Sequence, residues 1–201
     1  MVVRGQVTRE GTMRILAIFG SDHGQAETVA HRIAATLERL GHEVTIERGD
    51  RLPRDFTLDG HEGVLVIGSV HVGRYHGYLR KFVARHAARL GRMPSAFVSI
   101  SGALPESDLA WRAAAMAYVQ RFLASTGWTP SRTAVFAGAL RYPRYDVLTR
   151  FIMKQLSRRI GAPTDTSREF EFTDWAAVDR FAAELGAAWS GAPQAADGGA
   201  A

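Results

Sequence analysis

Short runs of apolar residues recur along the chain and are separated by longer segments with helical spacing. The runs cover residues 14–19, 64–67, 96–100 and 133–137, whereas residues 43–47 alternate between apolar and polar side chains. Continuous apolar runs are typical of parallel strands that are buried on both faces, and alternation is typical of a strand at a sheet edge. The pattern therefore predicts five strands, with residues 43–47 at one edge of the sheet.

Amphipathic helices are predicted between and after these strands. Their apolar stripes are Val29, Ile33, Leu37 and Leu40; Leu79, Phe82, Val83, His86 and Leu90; Leu109, Ala113, Met116 and Leu123; and Val178, Phe181, Ala182 and Leu185. Gly41 and Gly91 stop the first two helices. Pro105 stands near the first turn of the third helix, and Thr173 or Asp174 caps the last. Strands that alternate with helices predict an α/β fold with a doubly wound parallel sheet, which binds ligands at the carboxyl ends of its strands.

Composition narrows the possible classes of protein. The chain has 201 residues, which suits one domain, and 46% of them are hydrophobic, as in a globular protein. It has no cysteine, which excludes disulfides, thiol catalysis and Cys-ligated metals. No apolar run approaches the roughly 20 residues that span a bilayer. We expect one domain over residues 13–189, a disordered polar extension at 1–12 without the apolar stretch of a secretory signal, and a disordered tail at 190–201.

The positive charge of the chain is concentrated in one stretch. The net charge is +5, and residues 141–159 hold six basic side chains against the single acid Asp146, so that the remainder is balanced. A nucleic-acid partner is not expected, because this stretch lacks an aromatic platform and a recognised binding motif.

Residues 145–160 read as an inserted helix that begins after Asp146 and ends at Gly161. Arg150, Lys154 and Arg158 form a cationic ridge on it. The apolar face beside the ridge consists of Val147, Leu148, Phe151, Ile152, Leu156 and Ile160. A basic amphipathic helix suits an anionic membrane surface or an anionic ligand. Packing of the apolar face on the sheet, with a solvated basic face, is the alternative.

The segment between the first strand and the first helix, residues 19–28, reads FGSDHGQAET. At such a junction main-chain N–H groups and the positive end of the helix dipole face one point, which favours a phosphate. Gly24 lets the backbone approach a ligand, and Ser21 offers a hydroxyl. The segment is neither a Walker A loop nor a G-x-G-x-x-G fingerprint, so it indicates a monophosphate ester such as FMN. An ordinary polar turn around a tight glycine is the alternative.

This segment resembles the FMN-phosphate loop of flavodoxins, T/S-x-T-G-x-T, aligned on Ser21 and Gly24. Several further segments resemble the flavodoxin-like, menaquinone-dependent protoporphyrinogen IX dehydrogenases of bacterial haem synthesis. They are residues 23–25, 66–76, 93–97, 137–145, 164–166 and 173–175. The resemblance extends over about residues 13–188, and 137–145 is its most specific motif. It departs at His23 and Ala26, where flavodoxins carry hydroxyl residues, and His23 would compensate as a charged donor.

The resemblance implies a flavodoxin-like sheet with strand order 2-1-3-4-5 and an FMN site between the loops that follow the first, third and fourth strands. The expected FMN-binding residues are Ser21, Asp22, His23, Gly24, Gln25, Ala26, Ser69, Val70, His71, Val72, Gly73, Arg74, Tyr75, Ser101 and Gly102. Tyr75 would stack on the flavin, and Arg74 would stabilise the negative charge of the reduced ring. A helix-capping or packing role for Tyr75 is the alternative. His71 and His76 are five residues apart and no nearby acid is expected, so they are expected to make a poor metal site.

The implied activity is the FMN-dependent oxidation of protoporphyrinogen IX, with electrons passed to menaquinone or ubiquinone by a cytoplasmic protein at the inner face of the cell membrane. Arg141, Arg144 and Arg150 would hold the two propionates, while Lys154 and Arg158 would face the membrane. No side chain is expected to be catalytic, because the flavin supplies the chemistry. The basic stretch disfavours a carrier that docks on basic partners. A non-catalytic FMN carrier and a flavin-free interaction domain remain the alternatives.

Overall fold

A computed structural model of the chain describes residues 11–102 and 108–191. Most of the predicted N-terminal extension and tail, and Pro105, lie outside these residues. The strands are β1 (Arg14–Gly20), β2 (Glu43–Arg48), β3 (Gly63–Ser69), β4 (Ser95–Ile100), β5 (Arg132–Phe136), β6 (Ala139–Arg141) and β7 (Glu169–Glu171). The helices are α1 (Gln25–Arg39), α2 (Gly77–Leu90), α3 (Leu109–Thr126), α4 (Val147–Ile160) and α5 (Trp175–Ser190).

Strands β1 to β5 form one parallel sheet in the order β2-β1-β3-β4-β5. The predicted fold and strand order are confirmed, and the alternating strand β2 lies at an edge. Because all five strands run in the same direction, the loops that leave β1, β3 and β4 emerge together at the carboxyl edge of the sheet.

Each face of the sheet carries its own hydrophobic core. Ile15, Ala17 and Phe19 of β1 pack toward α1 and α5, whereas the alternate residues Leu16 and Ile18 pack toward α2 and α3. Successive side chains of a strand point to opposite faces, so a strand covered on both faces needs apolar residues at every position. This requirement accounts for the unbroken apolar runs in the sequence.

The apolar stripe predicted for the third helix is wrong. Leu109 is 81% exposed and Met116 is partly exposed, whereas α3 buries Trp111, Val119 and Phe122. The helix begins at Leu109 because the carboxylate of its N-cap, Asp108, accepts a hydrogen bond from the N–H of Trp111 at 2.9 Å. Apolar residues occur all around this helix, so their spacing selects no face, and the aromatic side chains occupy the core.

An insertion after β5 consists of β6, α4 and β7. The predicted inserted helix is confirmed over Val147–Ile160, and Asp146 caps it by accepting from the N–H of Thr149 at 3.0 Å. The antiparallel pair β6–β7 was not predicted, because strands of three residues are too short to show alternation. A small core centred on Leu140 and Tyr142 lies under α4.

Within the described ranges, no helix combines the length and apolarity needed to cross a membrane.

Two glycines at the carboxyl ends of β1 and β3, Gly20 and Gly68, are register partners. A Cβ atom on Gly68 would lie 2.7 Å from Cδ1 of Tyr75. We expect Gly68→Ala to lower the free energy of unfolding by about 1–3 kcal/mol, because an added methyl group overpacks this contact. The measurement is chemical denaturation of the purified variant.

Gly77→Ala is the matched control, because a Cβ at this first position of α2 meets no atom within 4 Å. It should be neutral or raise the stability by up to about 1 kcal/mol. Equal stability of Gly68→Ala and the parent protein would contradict the close approach of Tyr75 to β3.

Candidate functional site

A cavity of about 410 Å³ opens at the carboxyl edge of the sheet, between the loops after β1, β3 and β4 and the inserted β6 and α4. Of the predicted FMN-binding residues, it is lined by Ser21, Asp22, His23, Gln25, Ser69, Val70, His71, Val72, Gly73, Ser101 and Gly102. Its volume lies within the range typical of small-molecule sites. The structure thus brings together three loops that are far apart in the sequence.

The loop after β1 presents the N-terminus of α1 to one end of this cavity. Gly24 is the N-cap residue and has a left-handed backbone with φ of 85°. Its N–H donates to Oγ of the buried Ser21 at 2.9 Å, and no side chain caps the helix. The first N–H groups of an α-helix have no intrahelical acceptors and carry the positive end of the helix dipole. The loop therefore has the backbone arrangement of an anion site.

Arg141, at the end of β6, brings a positive charge to the same place. Its Nη2 donates to Oε1 of Gln25 at 2.6 Å. Gln25 in turn donates from Nε2 to Oγ1 of Thr173 at 2.8 Å and to Oε1 of Glu171 at 3.0 Å. The side chain of Gln25 therefore joins α1 to the β6–β7 pair and fixes the position of the guanidinium.

The buried Nε atom of Arg141 has no hydrogen-bond partner within the described residues. A Cβ built on Gly24 would lie 3.7 Å from Nη1 of Arg141, so the guanidinium is next to the exposed backbone of the loop. Buried polar groups are normally paired, and a guanidinium matches the geometry of phosphate oxygens. A phosphate at the N-terminus of α1 satisfies both requirements, so these residues fit the phosphate end of FMN.

His23 and Ala26 stand where flavodoxins carry hydroxyl residues, and the structure shows different roles for them. The ring of His23 lies 4.7 Å from the ring of Tyr145. Burial lowers the pKa of His23, Asp22 opposes this shift, and His71 and Arg141 add to it. The side chain of Ala26 is buried in the core, so only its backbone is available to a ligand.

Asp22 lies between two histidines. Its Oδ2 is 3.4 Å from Nδ1 of His71 and 3.7 Å from Nε2 of His76. The expectation that no acid lies near these histidines is wrong, because the loops after β1 and β3 meet in space. Among the described residues, no group of three or more potential metal ligands is arranged to hold an ion.

The loop after β3 folds back on itself at the rim of the cavity. His71 and Arg74 exchange main-chain hydrogen bonds of 2.9 and 3.1 Å around a turn formed by Val72 and Gly73. Val72 has a φ of 46° and is 82% exposed. A β-branched residue in the left-handed region is strained, and such strain is characteristic of ligand-binding turns.

The loop after β4 is held against the cavity by Trp111. The indole Nε1 donates to the carbonyl of Ser101 at 2.7 Å. A Cβ on Gly102 would lie 2.5 Å from that Nε1 atom, and the carbonyl of Gly102 accepts from the N–H of Gly138 at 2.9 Å. These contacts fix the backbone of Ser101 and Gly102 beside the cavity.

Four of the predicted FMN-binding residues do not line this cavity: Gly24 and Ala26 from the loop after β1, and Arg74 and Tyr75 from the loop after β3. The ring of Tyr75 lies in the core against Phe97 and Phe122, and its hydroxyl donates to Oγ of Ser99 at 2.7 Å. Burial raises the pKa of Tyr75. Tyr75 therefore has the packing role that was the alternative to flavin stacking. The side chain of Arg74 lines a neighbouring cleft.

The basic residues of the insertion have separate partners. Nε of Arg144 donates to Oε1 of Glu169 at 2.8 Å. Arg150 donates to the carbonyls of Tyr142 at 3.1 Å and Tyr145 at 2.9 Å, and so it holds the turn that precedes α4.

Sequence reasoning missed several side chains that line the cavity. They include Trp111, Tyr118, Tyr145, Ile152 and Met153. Tyr145 belongs to the most specific motif, 137–145, which was a signal for a role at the site. The residues from α3 and α4 gave no signal, because they look like ordinary apolar positions of an amphipathic helix.

Comparisons with known proteins agree with this geometry. A family model described as a flavodoxin domain matches residues 16–167. The chain is 35% identical to protoporphyrinogen IX dehydrogenase [quinone] of Escherichia coli strain K12, over 86% of this chain and 94% of that protein. It is 33% identical to the protein of the same name from Leishmania major, over 80% of this chain and 68% of that protein.

A solved structure supports the fold alone. The crystal structure of an oxidised flavodoxin from Bacillus cereus matches with a TM-score of 0.50 at 13% identity, over 86% of this chain and 96% of that one. The sheet order, the cavity at its carboxyl edge and the two sets of relatives lead to one assignment. This chain belongs to the flavodoxin-domain family and, within it, to the protoporphyrinogen IX dehydrogenase [quinone] family.

Proposed function

We propose that this protein is an FMN-dependent enzyme that oxidises protoporphyrinogen IX and passes the electrons to a quinone. Relatives at 35% identity over 86% of the chain carry the name of this activity. The observation that carries the cofactor assignment is the buried, unpartnered Nε of Arg141 beside the Gly24 turn, at one end of the cavity.

FMN would be held at both of its ends by residues of this cavity. The N–H groups at the start of α1, the Ser21 hydroxyl and Arg141 would hold the phosphate. The main chain of residues 69–73 and 101–102 would border the ring, and the side chain of Tyr145 would lie beside it. When bound, FMN supplies a ring that accepts two electrons from a porphyrinogen and returns them to a quinone.

The protein contributes position and electrostatics to this reaction. Each two-electron oxidation removes two hydrogen atoms from the porphyrinogen and converts one quinone to its quinol. Tyr118 and Ile152 line the cavity from α3 and α4. His23 lines the same cavity, where its imidazole would be able to relay a proton between its ring nitrogens and water.

We expect Arg141→Gln to weaken FMN binding by at least about tenfold, because a charge-assisted hydrogen bond to phosphate is worth about 1.5–3 kcal/mol. Gly24→Val should abolish FMN retention, because a branched side chain covers the backbone that faces the phosphate. The measurement is titration of the apoprotein with FMN, followed by flavin fluorescence.

Gly41→Val is the matched control for the glycine variant. Gly41 has a φ of 95°, close to the 85° of Gly24, but it ends α1 far from the cavity. The Gly41→Val variant should suffer the same backbone strain as Gly24→Val but retain its flavin. Undiminished FMN affinity in Arg141→Gln would contradict the phosphate assignment.

Turnover tests the proposed reaction itself. Under anaerobic conditions, the FMN-loaded protein should convert protoporphyrinogen IX to fluorescent protoporphyrin in amounts that follow the quinone supplied. Without quinone, each bound flavin takes up only two of the six electrons that one protoporphyrin requires, so its formation should stop at no more than about one third of the quantity of bound flavin. A carrier flavodoxin would not accept electrons from the porphyrinogen, so the absence of flavin reduction would refute the dehydrogenase assignment.

We further propose that α4 docks this protein on the anionic inner face of the cell membrane, where a lipid-soluble quinone is available. Val147, Leu148, Phe151 and Ile152 are 54–83% exposed on this helix. This exposure opposes the alternative in which these four side chains pack on the sheet. The side chains of Leu156 and Ile160, which also belong to the predicted apolar face, lie outside the described part of the structure. Arg158 is exposed and Lys154 is partly exposed beside them. Arg150 does not join this ridge, because its guanidinium is bound to main-chain carbonyls.

Vesicle binding tests this orientation. The double variant Lys154→Glu with Arg158→Glu should lower the partition onto phosphatidylglycerol vesicles by about tenfold or more, since each basic residue near such a surface contributes about 1 kcal/mol. FMN content should stay unchanged. Cosedimentation with vesicles gives the partition.

The control is Arg51→Glu with Arg92→Glu, which changes the net charge equally at exposed turns away from α4. It should retain most of the vesicle binding. Equal losses in the two double variants would show that net charge alone, and not α4, determines the partition.

A further inference from the structure

A second cleft, of about 810 Å³, lies directly beside the flavin cavity. The two share a wall made of residues from the loops after β1 and β3 and from α3 and α4. The shared residues are Asp22, His23, His71, Gly73, Tyr118 and Thr149. A molecule held in this cleft would therefore lie next to a flavin in the cavity.

Three arginines from three different elements face this cleft. Arg74 comes from the turn after β3, Arg80 from the first turns of α2, and Arg121 from α3. Within the described ranges none of the three has an ion pair with an acidic side chain. Their convergence is therefore not explained by a structural salt bridge.

The guanidinium of Arg121 is held in place without losing its charge. It lies over the ring of Tyr118, 4.7 Å from the ring centroid, and its Nε donates to the carbonyl of Ala117 at 3.3 Å. A cation on an aromatic face is oriented and partly desolvated. No hydrogen bond with a described residue engages its two terminal nitrogens, which leaves them to a ligand.

The acids that line the cleft do not neutralise these arginines. Asp22 lies between His71 and His76. Asp146 caps α4, and its two oxygens accept from the N–H of Thr149 at 3.0 Å and from the Oγ1 of Thr149 at 2.5 Å. The cleft therefore keeps an excess of positive charge.

Aromatic side chains form the floor of the cleft. Tyr75 and Phe122 are buried and contact each other edge to face, and Tyr118 is half-buried beside them. A cationic rim above an apolar aromatic floor suits a flat, apolar molecule that carries carboxylates at one side. Inorganic anions or compact polar substrates would leave this floor unused.

We propose that this cleft binds the two propionate carboxylates of the porphyrinogen through Arg80 and Arg121, with Arg74 at the rim. The inference rests on the proposed function and adds its specificity-determining residues. Arg80 and Arg121 take the propionate-binding role that was predicted for Arg144 and Arg150, because those side chains are engaged with Glu169 and with main-chain carbonyls. It also leaves Arg141 to the phosphate.

The test compares a diacid with its diester. Arg80→Gln and Arg121→Gln should each raise the KM for protoporphyrinogen IX by about tenfold, with kcat and FMN content little changed, since a charge-assisted hydrogen bond is lost. The parent protein should bind the dimethyl ester of the porphyrinogen more weakly than the diacid. The two substitutions should cause no further loss with the ester.

Lys81→Gln is the matched control, because Lys81 is an exposed cation of α2 next to Arg80 and does not line the cleft. It should leave the KM for the diacid unchanged. Equal losses with diacid and diester, or no loss with the diacid, would overturn the proposal.

A binding titration separates this proposal from the proposed function. The FMN-loaded protein is titrated with protoporphyrin IX or its dimethyl ester, and the porphyrin fluorescence is followed. If the parent protein prefers the diacid and this preference disappears in Arg80→Gln and Arg121→Gln, the cleft assignment is supported. Absence of turnover with quinone would refute the dehydrogenase assignment and leave the cleft assignment intact. Equal binding of diacid and diester by the parent protein would overturn the cleft assignment.

Discussion

A partly buried guanidinium beside the start of a helix is the interaction on which this site depends. Arg141 reaches the N-terminus of α1 from the inserted strand β6, and Gln25 holds it there. A partly desolvated positive charge next to the positive end of a helix dipole is unfavourable unless an anion accompanies it. A phosphate bound at this point would offer acceptors to the guanidinium of Arg141 and to the free N–H groups of α1 together. The rest of the proposed ligand would then lie in the cavity that leads away from it.

The insertion β6–α4–β7 adds three properties to an otherwise open α/β sheet. It supplies Arg141, it closes one wall of the cavity with Tyr145 and Ile152, and it leaves an apolar face of α4 in contact with solvent. The arginines near these sites differ in their environments. Arg150 is fixed by main-chain carbonyls, Arg141 donates to Gln25 at the N-terminus of α1, and Arg121 lies on an aromatic ring in the cleft. Location and partners, and not net charge, separate these functions.

The strands and the left-handed turn before α1 were predictable, because both follow from simple physical requirements. A strand with two covered faces must be apolar throughout, and a ligand turn before a helix needs a residue such as Gly24 with positive φ. The direction of a side chain was not predictable in the same way. Tyr75 and Tyr145 both belong to candidate loops, yet one ring enters the core and the other lines the cavity. The contact between Arg141 and Gln25 depends on the pairing of β6 with β7, which strands of three residues do not reveal.

The affinity of the apoprotein for FMN relative to riboflavin tests the central claim most directly, because the two ligands differ only in the phosphate. Isothermal titration at low ionic strength gives both constants. Several charge-assisted hydrogen bonds at the Gly24 turn and Arg141 should make FMN bind at least about a hundredfold more tightly. Equal affinities for the two flavins would contradict the account.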